Sequence, residues 1–84
     1  MLGPAGELVE IIPNFDYSND LIYSLHCTKT NEKNTIIVTL GSNESITFPP
    51  GSFIKGAVYH IYIRKMIFDI KTAGFIGYKL LKKN

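Results

Sequence analysis

From Ala57 to Ile63 the chain alternates without a break. Ala57, Tyr59, Ile61 and Ile63 fall on one face of an extended strand, and Val58, His60 and Tyr62 on the other. Both faces carry apolar or aromatic side chains, so the pattern predicts a central strand, or one whose outer face meets a partner. After Arg64 and Lys65 the apolar residues return as Met66, Phe68 and Ile70, in the opposite parity unless Ile67 keeps the original face. Such a change of phase predicts a bulge or bend at the basic pair. This strand is expected to run to about Ile70 and to follow the rigid turn Pro49-Pro50-Gly51.

Shorter strands account for the rest. Glu7 to Ile12 predicts a first strand, stopped by Pro13. Leu21 to Thr28 alternates, with Leu21, Tyr23, Leu25 and Cys27 expected inward and Ile22, Ser24 and His26 outward. Thr35 to Leu40 and Ser45 to Phe48 read as a hairpin across Gly41, Ser42 and Asn43. After a turn at Thr72, Ala73 and Gly74, Phe75 to Leu81 closes the domain, with a bulge or close backbone approach expected at Gly77. Asn14 to Asp20 is turn-rich; its aromatics Phe15 and Tyr17 either fold over an open end of the core or anchor a partner. No stretch keeps a helical period and none repeats. The expectation is an all-β chain, a small antiparallel β-sandwich or barrel of six to seven short strands. Residues 7–81 form its single β domain, between a flexible N-terminal arm (1–6) and a basic tail (82–84).

Composition sharpens this picture in two ways. A chain of 84 residues supports only a thin core, and Cys27, its sole cysteine, offers no disulfide framework. Association with other chains is the natural remedy. The start, MLGPAGELVE, has neither a basic head nor an apolar run, and no stretch reaches the length of a membrane helix. The expectation is a soluble chain made in a reducing compartment. The net charge of +2 is too small to call for a nucleic-acid partner. Its distribution is uneven: three lysines face six carboxylates in residues 1–63, and six basic residues face Asp69 alone in residues 64–84. Such polarity suits head-to-tail contact between copies or docking on an acidic surface, and equally a plain solvated face.

Chemistry is hard to place. His26 and His60 are the only histidines, and neither has a Cys, Asp or Glu at ligand spacing. Cys27 and His26 are adjacent and so point to opposite faces of a strand, which prevents them from acting as nucleophile and base. The seven glycines mark turns or bulges, with no phosphate loop among them. No catalytic, metal or cofactor site is expected. Tyr59, Tyr62 and Phe68 beside Arg64 and Lys65 would suit a small barrel that binds single-stranded nucleic acid, although Tyr and Phe are ordinary strand residues.

Several stretches of Ile46 to Leu81 carry a resemblance: Thr47-Phe48, the turn Pro49-Pro50-Gly51-Ser52, Tyr62-Ile63-Arg64-Lys65, the turn Thr72-Ala73-Gly74, and Ile76 to Leu81. In this order they resemble the small β modules of tailed-phage particles, in particular the head-spike base proteins of phage-like gene transfer agents. The resemblance implies a non-enzymatic virion structural protein of a tailed bacteriophage, made in the host cytoplasm and present in many copies. Its partners would be the major capsid protein or tail and spike proteins, and its place a capsid decoration, a cement or a head-spike base. A tail or fibre-junction protein is the nearest variant. The residues expected at such contacts are Leu2 and Pro4 of the arm, Phe15 and Tyr17 of the loop, and the outer-face residues His60, Tyr62 and Arg64.

Overall fold

A computed structural model describes residues 6–30 and 32–80, Leu80 by its backbone alone. The regular elements among them are all strands: β1 (Gly6–Glu10), β2 (Ile22–Lys29), β3 (Ile36–Leu40), β4 (Ser45–Phe48), β5 (Val58–Tyr59), β6 (Ile63–Ile67) and β7 (Gly74–Leu80). They form one antiparallel sheet in the order β1-β7-β2-β6-β3-β4, with β5 added to β2. The chain is therefore a small all-β fold with the expected number of strands.

The segment after β1 curls this sheet. The N–H of Asn14 donates to the Met66 carbonyl and that of Tyr17 to the Arg64 carbonyl, both at 2.7 Å. In the sheet order, β7 and β2 stand between β1 and β6, so these bonds close β1, β7, β2 and β6 into a ring. The β3–β4 hairpin extends from β6. The result is one curled, partly open barrel rather than two stacked sheets.

Bulges set which side chains enter it. Along β6, Ile63 lies opposite Leu40 and Lys65 opposite Thr39, so Arg64 is an extra residue. Past it the inward parity changes: Met66 and Phe68 are buried with Ile63, and Ile67 is exposed. This is the bulge expected at the basic pair. From Ala57 to Ile63 the two faces also divide as the alternation predicts, but the long strand is broken into β5 and β6 by the irregular residues His60 to Tyr62.

The expected facing of β2 holds only in part. Ile22 and Ser24 oppose consecutive residues of β7, Lys79 and Tyr78, which makes Tyr23 an extra residue and reverses the parity there. Ile22 is consequently in the core with Leu25 and Cys27, whereas Leu21 is exposed and Tyr23 half-buried. A second extra residue, Thr28, follows near the end of the strand. β1 starts at Gly6, within the stretch expected as a loose arm, because Gly6 pairs with Leu80 and passes under the Tyr78 ring, where a Cβ would stand 2.5 Å from ring atoms.

Two similar turns separate β4 from β5. Ser52 N–H donates to the Pro49 carbonyl around Pro50 and Gly51, and Ala57 N–H to the Ile54 carbonyl around Lys55 and Gly56. Gly51 and Gly56 have φ of +82° and +88°, the conformation a type II turn requires at its third position. Between the turns Phe53 plunges into the core, where Phe48, Tyr59 and Phe75 surround its ring at centroid distances of 4.9 to 5.3 Å. Phe68 extends the same cluster through Phe75.

Candidate functional site

β2 and β7 run antiparallel through the middle of the barrel and define two ends. Eight residues at about 3.3 Å each make β2 roughly 25 Å long. The loop Pro13–Leu21 gathers where β2 starts and β7 finishes. At the other end meet the last residues of β2, the Ile54–Ala57 turn and the turn before β7.

That second end carries an open cleft of about 440 Å³. Thr28, Lys29 and Thr30 come from the end of β2, Glu32 and Lys33 from the following connection, Lys55 from the second type II turn, and Lys71 and Thr72 from the turn before β7. Backbone-directed bonds hold these segments together. Lys29 Nζ donates to the Lys71 carbonyl at 2.6 Å, and Thr30 Oγ1 accepts from the Lys55 N–H at 2.9 Å. The turn itself is docked on β2, with Gly56 N–H donating to the Cys27 carbonyl and Cys27 N–H to the Ala57 carbonyl. None of the four lysines forms an ion pair among the described residues.

The opposite end is acidic. Glu10, Asp16 and Asp20 border a cavity of about 310 Å³ with Phe15, Tyr17 and Lys79. Here the cations are paired: Lys79 with Glu7 at 3.3 Å and Asp20 at 3.8 Å, and Arg64 with Asp16 at 3.3 Å. Arg64 also donates through a short contact to Asn43 Oδ1 in the β3–β4 turn. The Asp16 carboxyl is held below the usual carboxylate value of 3.8, first by the Ser18 backbone N–H and then by the Arg64 guanidinium.

Charge polarity therefore exists in space, with a different membership from the one read along the chain. Lys29, Lys33 and Lys55, counted with the acidic part of the sequence, build the basic end, while Arg64 and Lys79 sit among the carboxylates. The cleft was the feature least visible in the sequence. Its signal was that all four lysines occupy turns or strand ends on alternate connections of an antiparallel sheet, which fall at one end.

The residues expected at contacts divide into two groups. Phe15, Tyr17 and Arg64 come together, since the loop is bonded to β6. Of the aromatic pair, Tyr17 is the one that folds over the core, its hydroxyl accepting from the Ile12 N–H at 3.0 Å. Phe15 stays half exposed against it, with ring centroids 4.7 Å apart. His60 and Tyr62 lie on the outer surface instead. Tyr62 is 67% exposed, and its ring neighbours Tyr23, which in turn meets Tyr78 edge-on at 5.2 Å. Desolvation, and next Tyr78, raise the Tyr23 phenol above its ordinary value of 10.0. Leu2 and Pro4 lie outside the described residues.

The strip of aromatic and basic side chains expected for nucleic acid does not assemble. Tyr59 turns inward, packs on Phe53 and accepts from the Ile54 N–H at 2.8 Å; Phe68 is buried; Arg64 is engaged by Asp16 and Asn43. Only Tyr62 of those aromatics faces water. Exposed His26 and buried Cys27 point apart, as neighbours on a strand must. Among the described residues, no three of His, Cys, Asp or Glu gather as metal ligands.

Comparison with known protein families, with curated proteins and with solved structures finds no match.

Proposed function

We propose that this chain is a non-enzymatic assembly protein, a virion structural component of a tailed bacteriophage that acts by packing against other virion proteins. The observation that supports this most is the state of the sheet edges. β1 and β4 end the sheet order, and each shows an apolar side chain to water: Leu8 is 70% exposed and Ile46 41%. β4, Ser45 to Phe48, has no charged residue and no proline, the devices that usually guard a free edge. An edge of this kind is a template for pairing with a further chain, and the exposed aromatics Tyr62 and Phe15, elsewhere on the surface, are suitable anchors for a partner. The phage assignment draws on the resemblance of Ile46 to Leu81 to small virion β modules. As a decoration, cement or spike-base protein it would stabilise the assembled particle by mass action, binding that state and not the free subunits.

Quantitative peptide mass spectrometry of purified particles tests this reading. A ratio approaching that of the major capsid protein is expected for a lattice-wide decoration or cement, and a small symmetric number for a vertex or tail position. Absence from the particle refutes the proposal.

A further inference from the structure

We propose that the basic cleft binds a ligand carrying two or more phosphoryl groups. This goes beyond the assembly reading and does not rest on it.

Charge is the first ground. Lys29, Lys33, Lys55 and Lys71 border the cleft with Glu32 as the only carboxylate among its described lining. Four ammonium groups brought to one place repel each other, and at the far end of the same molecule Arg64 and Lys79 are each met by carboxylates. At the basic end Glu32 and Asp69, whose Oδ1 accepts from the Lys71 N–H at 2.9 Å, offset only part of the charge, and neither forms an ion pair among the described residues, so an external anion supplies the remaining partner.

The chemistry of the donors narrows the anion. The chain's single arginine is at the opposite end, so the cleft has no planar fork for bidentate binding, of carboxylate or phosphate, and holds an anion by point charges instead. It offers compact point charges and the Thr28 hydroxyl, the Thr72 hydroxyl being engaged by the Asp69 carbonyl and the Asn34 amide, a set suited to tetrahedral oxyanions. Lys29 donates one proton to the Lys71 carbonyl, which fixes its position and leaves two donors for a ligand.

Size and shape decide the remainder. The cleft of about 440 Å³ is within the range of roughly 300–1,000 Å³ typical of small-molecule sites, larger than one phosphate needs. A second copy offers a poor fit, because the acidic end is itself hollow and partly neutralised by its own cations.

Inorganic tripolyphosphate is the probe, titrated into the whole chain by calorimetry and by backbone amide NMR. Saturable one-to-one binding is expected, with shifts centred on Thr28, Lys55 and Thr72. Lys55→Gln and Lys71→Gln, whose side chains make no ion pair among the described residues, should each weaken it by about tenfold, the usual effect of losing one charge-assisted bond. Lys65→Gln on β6 removes the same charge elsewhere and should change affinity less than about twofold. Two sources of phosphoryl groups are separated by vesicles containing a phosphorylated inositol lipid. Sedimentation with them that tripolyphosphate reverses assigns a lipid headgroup, and binding of tripolyphosphate without sedimentation assigns a soluble ligand. The proposal is overturned if tripolyphosphate does not saturate, if Lys65→Gln weakens binding as much as the cleft variants, or if the shifts centre on Tyr62.

Discussion

The guanidinium of Arg64 lies 3.3 Å from the carboxylate of Asp16, tying the extra residue of a β-bulge to the loop that closes the barrel. The bulge is what makes the contact possible. It lets Ile63 and Met66 both face the core while Arg64 stays at the surface, within reach of Asp16 on one side and Asn43 on the other.

Replacing Arg64 by alanine should leave the fold intact and loosen this closure. The amides of Asn14 and Tyr17, bonded to Met66 and Arg64 carbonyls, are the reporters. Their hydrogen exchange is expected to accelerate relative to that of Leu25, whose residue is in the core. Equal acceleration throughout would indicate global destabilisation instead.

Acid should act on the same contact. Because the folded Asp16 pKa is lowered, its contribution to stability is fully present above the ordinary value of 3.8 and is lost as pH falls through the lowered one. An NMR titration of the side-chain carboxyl should give a midpoint below 3.8, moved upward in the Arg64→Ala variant.

At Gly77 a methyl group has no room. A Cβ there would stand 2.6 Å from Cδ1 of Ile11 and 2.7 Å from Cγ2 of Ile22, both fully buried. Gly77→Ala is expected to destabilise by about 1–3 kcal/mol, more than the unfolded-state gain of about 0.4–1 kcal/mol offsets. Urea denaturation should show a lower midpoint at unchanged slope.

Phe53 and Ile54 are neighbours with opposite fates. Phe53→Ala removes the hub of the aromatic cluster and should cost about 3–5 kcal/mol, a large share of the roughly 5–15 kcal/mol that holds a small domain folded. Ile54, 64% exposed, should tolerate serine within about 0.5 kcal/mol. Thermal melts of the two variants make the comparison.

Cys27 should be inert in the native protein. Its side chain is fully buried, and burial pushes the thiol above its ordinary value of 9.0, so little thiolate is present at neutral pH. Modification by Ellman's reagent is expected only at the rate of unfolding.

Much of this architecture was legible in the residues. The alternation from Ala57 to Ile63, the phase change at Arg64, the β3–β4 hairpin and the close approach at Gly77 all follow from period-two patterning and turn chemistry. The inward turn of Ile22 was not, because the bulge at Tyr23 leaves no mark in a run where every second residue is already apolar. Phe53 was hidden between two turns, outside any period. The basic cleft is a product of tertiary convergence: Lys29, Lys33, Lys55 and Lys71 are spread over 43 positions and meet only because their connections share one end of the sheet.

The neighbourhood of β7 sets the order in which this protein can be made. β7 lies between β1 and β2, and Gly6 pairs with Leu80 across almost the whole described chain. Until residue 80 has left the ribosome, the first two strands each lack the neighbour that completes the ring. Folding must then wait for the entire domain to emerge, and high contact order makes the final step slow. A nascent chain interrupted before residue 74 would present two unsatisfied strand edges, the feature that cellular proteolysis removes.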